Sequence, residues 1–390
     1  MILFEEAFRI VLSHAIPAGT ERIPFTEASG RILAEDIFSD LDMPPFNKSA
    51  VDGYACRKND LPGKLKVIEI IPAGKVPEKT IQPGECSKVM TGGMVPSEAD
   101  CVIMVEDTEN LDNDHIRYTK EKTPGNICYK GEDIRSGDKV LSKGTRLFPQ
   151  HIAVLATVGA VDPLVSGKIR LGILSTGNEL VEPGKMPAGS QIRNSNSWQL
   201  LAQAAIPGII PFYSGIAEDN EDDLHKKLLQ SLETNDIVIL SGGVSMGDFD
   251  YVPHVMESLG IQILVKSIAI QPGRPTVFGI KGNKFIFGLP GNPVSSFVLF
   301  EILVKPFLFK MMGLDVMPII LKLPMGVDYN RKKSNRKSLV PVRFIDSKVF
   351  PVEYHGSANI NAYTLADGFL ILEPGEFIMK EGELANVRPL

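Results

Sequence analysis

The sequence predicts a multidomain protein in which a mostly parallel, three-layer α/β domain is joined to β-rich modules. Three observations carry this expectation. A chain of 390 residues exceeds the size at which a single core keeps growing, so more than one domain is expected. From about residue 24 to 145, short β-type runs such as LKVIEII, CVIMVED and HIRYTK are separated by Gly/Pro turns (IPAGKVP, IQPGE, MTGGMVP), the pattern of small all-β modules. After Pro149, strand-like and helix-like segments alternate, as they do in a doubly wound sheet.

The elements follow in order. The N-terminal MILFEEAFRIVLSHAI sets Phe4, Ala7, Phe8, Val11, Leu12 and Ala15 at helical spacing. Glu5 and Glu6 precede any basic residue, so the segment reads as an amphipathic helix and not as a signal peptide. The β module comes next, and QHIAVLATVGA reads as a helix opened by Pro149. Then come the strand KIRLGILS, the helices SNSWQLLAQAAI and EDDLHKKLLQSLE, the strand DIVILS, the helix DYVPHVMESLG, the strand KFIFGL and the helix NPVSSFVLFEILVKPFLFKMM. Beyond Gly313, β-type runs return (MPIILKLP, SLVPVRF, VFPVEY, GFLILEP), suggesting a small barrel or sandwich. Pro/Gly-rich boundaries fall near 165 and 313.

Composition narrows the function classes. With 44% hydrophobic and 23% charged residues, the chain has a soluble, globular composition. A net charge of -6 leaves no electrostatic footprint for nucleic acid, although a local basic site for a small anion is compatible with it. No apolar stretch approaches the roughly 20 residues needed to span a bilayer, so no membrane partner is expected. Cys56, Cys86, Cys101 and Cys128 form no C-x-x-C pair, which argues against a zinc ribbon and for reduced thiols in a cytoplasmic protein. The six histidines show no paired ligand spacing.

Chemistry concentrates at strand ends, where α/β sheets bind ligands. Gly243-Val244-Ser245-Met246-Gly247 matches the G-x-S-x-G of a hydrolase nucleophile elbow. The apolar strand ends at Leu240, however, and the next helix cannot begin until about Asp250, too long a loop to pin one hydroxyl over an oxyanion hole. Ser241, Gly242, Gly243 and Ser245 fit an anion nest better, with consecutive backbone N–H groups and two hydroxyls; a plain structural turn is the alternative. Two more glycine-bearing loops repeat the theme: Ser175-Thr176-Gly177-Asn178-Glu179 and Leu289-Pro290-Gly291-Asn292-Pro293. Between them, Arg274 of QPGRP is either a fork for an oxyanion or a solvated arginine. Glu179, Asp219 and Asp250 crowd these loops, and acids beside a phosphate call for a bridging cation such as Mg²⁺. Asp219 and Asp250 are equally readable as helix N-caps. Asp52 and Asp133 lie in Gly/Pro-rich segments where carboxylates are usually solvated turn residues.

PPFNKSAVDGYA, MTGGMVPSEADCVIMVED, KGEDIRSGD, LGILSTGNEL, SGGVSMGDFDY, IQPGRP and GLPGNPVSS occur together in this order. In this the chain resembles the molybdopterin molybdenumtransferase family (MoeA, and the E domain of gephyrin) over nearly its whole length. The resemblance implies molybdenum insertion from molybdate into adenylylated molybdopterin with release of AMP, the last step of molybdenum cofactor synthesis, with Mg²⁺ as cofactor. It implies an elongated homodimer with a discontinuous N-terminal helical/β domain (1–26 and 144–166), a β insertion (27–143), an α/β molybdopterin-binding domain (167–312) and a C-terminal β-barrel (313–390). The family's cleft lies between the α/β domain of one subunit and the insertion and C-terminal domains of its partner, which gives Asp52 and Asp133 a purpose.

Carried over by position, the family's acids fall on Asp52, Asp133, Glu179, Asp219 and Asp250, of which Glu179, Asp219 and Asp250 would hold the metal. Its threonine falls on Thr91, and the later arginine and serine on Arg336 and Ser357. Thr176, Gly177, Ser241, Gly242, Gly243, Ser245, Pro290, Gly291 and Asn292 would hold the pterin phosphate and AMP. The chain departs from the family at Asn47-Lys48-Ser49-Ala50-Val51-Asp52-Gly53, where relatives often read DNSAMDG, and at Cys128-Tyr129-Lys130, where an arginine-rich run is usual. Ser267 and Gln271 replace expected basic residues, leaving Lys266 and Arg274 as the neighbouring cations for molybdate. Two rival functions are the adenylyltransferase of the preceding step, typically a single small α/β domain, and a non-catalytic scaffold. Molybdenum cofactor pathway proteins are the expected protein partners.

Overall fold

The computed structural model describes residues 1–244, 251–315, 317–332, 335–354, 356 and 358–390. They form two compact units, one of 1–35, 144–148 and 164–390, the other of 36–143 and 149–163.

The first unit is organised by a six-stranded sheet of β1 (Ile169–Thr176), β2 (Ile209–Ala217), β3 (Ile237–Ser241), β4 (Gln262–Val265), β5 (Val277–Lys281) and β6 (Lys284–Leu289). Its spatial order is β2-β1-β3-β6-β5-β4. The β2–β1, β1–β3 and β3–β6 pairs are parallel, and the β6–β5 and β5–β4 pairs antiparallel. Alternation along the central strands produces three layers, because successive side chains point to opposite faces. Leu171, Ile173, Ile237, Ile239, Phe285, Phe287 and Leu289 enter one core. Leu174, Val238, Leu240 and Ile286 enter a second.

Helices close both faces. The first core receives Leu200 from α1 (Asn196–Gln203), Val294 and Val298 from α4 (Pro293–Leu299), Phe307 and Leu308 from α5 (Lys305–Met311), and Ala7 and Val11 from the amphipathic segment Phe4–Ser13. The second receives Leu224, Leu228 and Leu232 from α2 (Glu221–Thr234) and Val252, Val255 and Met256 from α3 (Val252–Ser258).

Three strands, β2, β4 and β5, escape the sequence reading for physical reasons. β2 and β4 are edge strands, only half covered, and β2 carries Pro211, Ser214 and Gly215. β5 is interrupted by Gly279, where a Cβ would stand 2.7 Å from Ile261 and Met256. The expected single helix over 292–312 is divided by a π-helical segment, Phe300–Val304. Pro306, which lacks an N–H, follows directly and removes a helical hydrogen bond at that point.

Beyond the sheet, strands Lys337–Ile345, Gly368–Leu372, Leu384–Pro389 and Leu321–Pro324 pair in sequence of space, with Lys348–Pro351 on the far side of Lys337–Ile345. A bridge from Met325 to Val349 joins the two ends into a small barrel. Met325, Val340, Val342, Val349, Leu370, Leu372, Ala385 and Val387 fill its interior.

The second unit has a six-stranded sheet in the order Cys101–Met104, Gly53–Cys56, Glu85–Val89, Lys64–Ile71, His115–Tyr118, Thr108–Asn110, and one α-helix, Pro149–Thr157. Tyr54, Leu65, Ile103, Ile116 and Tyr118 pack on one side of it. All four cysteines are free thiols.

Phe278, Phe285, Phe287 and Phe307 form one aromatic cluster, with Phe307 4.9 Å from Phe285 and 5.3 Å from Phe287 in edge-to-face arrangement. Phe307→Ala leaves a void under the sheet and is expected to cost about 3–5 kcal/mol, read as a lower midpoint in urea at unchanged slope. A midpoint equal to wild type would show that the cluster does not hold the helix to the sheet.

Candidate functional site

Parallel register brings the ends of β1, β3 and β6 level. Ser175 pairs with Ser241, and Ser241 with Leu289, so the three following loops leave the sheet along one edge. They line a cavity of about 700 Å³, within the range of small-molecule sites. Thr176, Gly177, Glu179, Asp219, Ser241, Gly242, Gly243, Pro290, Gly291 and Asn292, all expected from the sequence, lie together on its wall. The lining is completed by the 192–196 segment, by Val244, Pro275 and Pro293, and by Ala358 and Ile360.

Two glycines make the approach of the loops possible. Gly242 has φ +102°, and a Cβ there would stand 2.5 Å from the Thr176 carbonyl oxygen. Gly243 has φ +62°, and a Cβ there would stand 2.9 Å from the Thr176 methyl. Both conformations are unfavourable for residues with side chains. The Gly242 N–H donates to the Leu289 carbonyl (3.0 Å), tying the turn to β6, so of the two glycines it is Gly243 whose N–H suits an anion nest.

A buried amide network fixes the edge. Asn196, in the first turn of α1, donates from Nδ2 to Ser241 Oγ (2.9 Å) and to the Gly291 carbonyl (2.8 Å), tying the β3 loop to the β6 loop. Ser175 Oγ donates to Asn194 Oδ1 (3.1 Å) and lies 2.7 Å from Ser197 Oγ. Asn194 Nδ2 donates to Tyr213 OH (3.1 Å), and that hydroxyl donates to Glu182 Oε1 (2.6 Å). Burial, and then this bond to Glu182, push the Tyr213 hydroxyl pKa upward, keeping it a donor. Sequence reasoning missed this network. Its signal was QIRNSNS, a polar run immediately before an apolar helix.

The acids are placed as follows. Asp219 accepts from the Thr176 hydroxyl (Oδ1, 3.0 Å) and the Asn178 backbone N–H (Oδ2, 3.0 Å), while its own N–H donates to Asn178 Oδ1 (3.1 Å). The N-cap reading of Asp219 is corrected: Asn220 caps α2, accepting from Asp223 N–H. Asp219 is one residue too early and turns back to the β1 loop instead. Thr176 accordingly positions Asp219. Glu179 is exposed and folds back over Gly177, whose Cβ would stand 2.6 Å from Glu179 Oε2. Asp250, Ser245 and Ser357 lie outside the described residues. β3 ends at Ser241, the last residue of the expected DIVILS strand, and α3 begins at Val252, so the next helix starts well beyond the strand end as expected. Among the described residues, no group of three or more His, Cys, Asp or Glu is arranged to hold a metal.

The expected cations are elsewhere. Lys266 and Arg274 line a separate depression of about 360 Å³ with Ser267, sharing only Val244 and Pro275 with the main cavity, and Lys266 pairs with Glu257 at 3.2 Å. Just before Arg274, the chain pairs through Ile270–Gln271 with the barrel strand Lys337–Ile345, and Arg274 lines this depression and not the main cavity. Arg336 lines a third cavity, of about 420 Å³, with Arg331, Lys332, Ser338 and Gln271, and donates to Gln271 Oε1 at 3.4 Å.

In the second unit, Asp52 and Thr91 meet. The Thr91 N–H (2.6 Å) and hydroxyl (2.8 Å) both donate to Asp52 Oδ1. The backbone bond first, and the hydroxyl bond next, hold the Asp52 pKa below the usual carboxylate range. Asp133 is exposed in the same unit.

Comparison with known proteins covers the chain in three parts. Family models described as "MoeA N-terminal region (domain I and II)", "Probable molybdopterin binding domain" and "MoeA C-terminal region (domain IV)" match residues 2–159, 172–310 and 322–390. Proteins named molybdopterin molybdenumtransferase from Staphylococcus epidermidis and Staphylococcus aureus are 34% and 32% identical, over 99% and 98% of this chain and 95% and 94% of theirs. A crystal structure of a molybdopterin biosynthesis MoeA protein from Pyrococcus horikoshii OT3 superposes with a TM-score of 0.86 at 30% identity, covering 100% of both chains. A second from that genus gives 0.82 at 34%, covering 100% of this chain and 99% of the other.

Asn196→Ala removes both ties between the β3 and β6 loops and leaves the buried Ser241 hydroxyl without that donor. The expected cost is about 1–3 kcal/mol in thermal or denaturant unfolding; a variant as stable as wild type contradicts the stapling role. Thr91→Val removes one of the two donors to Asp52, so the Asp52 pKa should rise toward its ordinary value in a carboxyl NMR titration. Because that pKa is depressed in the folded state, its contribution to stability is present above the unfolded value near 3.9 and is lost as pH falls through the folded value. An unchanged titration contradicts the assignment.

Proposed function

Because the chain belongs to the molybdopterin molybdenumtransferase (MoeA) family, we propose that it inserts molybdenum from molybdate into adenylylated molybdopterin with release of AMP, the last step of molybdenum cofactor biosynthesis. The observation that carries this reading is the cavity at the level ends of β1, β3 and β6, where bare glycine backbone and two carboxylates share one wall. The Gly243 backbone N–H suits a phosphate, and the Pro275, Pro290 and Pro293 rings give apolar surface for a flat heterocycle. The adenylyltransferase rival is not favoured, since the match extends through the β modules on both sides of the α/β domain.

Catalysis in this reading rests on placing charge where the phosphoanhydride is cleaved. Asp219, held by Thr176 and Asn178, keeps a fixed carboxylate on the cavity wall, and Glu179 supplies a second. These are hard oxygen donors and fit Mg²⁺, with Asp250 as the proposed third residue. When bound, the ion would neutralise the pyrophosphate charge beside these acids. Molybdate, as substrate, is assigned to Lys266, Arg274, Arg336 or Ser357, and Asp52, Asp133 and Thr91 keep the roles the family resemblance gives them. A homodimer, a cytoplasmic location and interaction with other molybdenum cofactor pathway proteins belong to the same proposal.

Turnover of adenylylated molybdopterin with molybdate and Mg²⁺ tests it, with AMP release as the readout. Glu179→Gln, Asp219→Asn and Asp250→Asn should each lower the rate by about a hundredfold or more, and EDTA should abolish it. Full AMP release by both Glu179→Gln and Asp250→Asn would rule out the acid-cluster mechanism. Consumption of ATP with unmodified molybdopterin would instead identify the preceding step.

A further inference from the structure

Among the described residues lining the main cavity, the charged groups are Glu179, Asp219 and one cation, Arg193. A wall with two carboxylates and a single positive charge is a poor match for an anionic ligand unless that charge is aimed at it. The QIRNSNS motif supplies Arg193 between Ile192, which pairs with Leu180, and the buried Asn194. The Ile192 N–H donates to the Glu179 carbonyl (2.7 Å) and the Asn194 N–H to the Val181 carbonyl (2.8 Å), so the backbone on either side of Arg193 is fixed to the β1 loop.

The guanidinium is oriented from behind. Nε donates to the carbonyls of Pro183 (2.9 Å) and Lys185 (3.2 Å), and Nη2 lies 4.0 Å from Met186 Sδ. Among the described residues, Arg193 makes no ion pair with a carboxylate, in contrast to Arg22, which is paired to Glu35, and Arg31, which is paired to Glu21. A guanidinium held only by neutral acceptors, two carbonyls and a weak thioether contact, keeps its full charge for a ligand, and the planar fork suits phosphate oxygens.

We propose that Arg193 binds the phosphate of the nucleotide in this cavity, as the cation that offsets Glu179 and Asp219. The inference rests on the nucleotide reading of the cavity given above. Arg193 thus selects for a phosphorylated nucleoside over the bare nucleoside, while the glycine loop supplies the neutral donors.

The test is calorimetric titration of the full-length protein with AMP and, separately, with adenosine, at low and high KCl. In wild type, AMP binds more tightly than adenosine, and the difference shrinks with salt. Arg193→Gln should weaken AMP about ten- to a hundredfold and leave adenosine within about twofold, the range expected for a charge-assisted bond. Arg193→Lys keeps the charge but cannot reproduce the carbonyl bonds; it should fall between the two for AMP, and it serves if Arg193→Gln does not fold. Equal loss of AMP and adenosine binding in both variants would show that Arg193 only pins the 183–185 turn, and would overturn the proposal. AMP affinity within twofold of wild type in Arg193→Gln would overturn it too, while leaving the molybdenumtransferase reading intact if wild type still releases AMP. Wild type binding neither ligand and releasing no AMP would overturn both.

Discussion

The site depends on the close approach of two backbones, the Gly242–Gly243 turn and the end of β1 at Thr176. Parallel pairing delivers the strand ends level with one another, but only residues without a Cβ fit where the Thr176 carbonyl and methyl press on the turn. Asn196 then fastens this turn to the Gly291 loop through its two amide hydrogens. A network of this kind is stable because nearly every buried polar atom in it has a partner, and the low dielectric around it makes any broken link expensive. The geometry of the cavity is therefore set before any ligand arrives, as preorganised charge stabilisation requires.

The same arrangement assigns division of labour among the polar residues. Thr176, through its hydroxyl, and Asn178, through its backbone N–H, hold the Asp219 carboxylate in place. Ser241 accepts from Asn196, which ties its hydroxyl to the scaffold. The charged residues lining the cavity are two acids and one arginine. The basic residues around Lys266 and Arg336 occupy two further cavities, so the proposed molybdate positions are spatially separate from the main cavity. A reaction that joins two anionic substrates gains from such separation, because neither must displace the other.

Much of this was legible in the sequence. The alternation of β1, β3 and β6 with helices gave the sheet, because those central strands are buried on both faces and read as unbroken apolar runs. The three glycine-bearing strand ends gave the cavity, and Thr176, Ser241 and Gly291 stand where that reasoning put them. Edge strands were lost because half of their residues face solvent, as in β2 with its Pro211 and Gly215. Where Arg274 stands relative to the site loops was not legible, because nearness in sequence to two loops says nothing about the turn of chain between them. Asn194 and Asn196 were overlooked because a polar run before a helix is ordinary capping composition until its amides are seen to cross between loops.

The most direct test is a crystal structure of the full-length protein with AMP diffused in at saturating concentration. The account predicts the phosphate within hydrogen-bond reach of the Gly243 amide, with Glu179 and Asp219 lining the same cavity. Nucleotide density at any other surface, with this cavity holding only solvent, would contradict it.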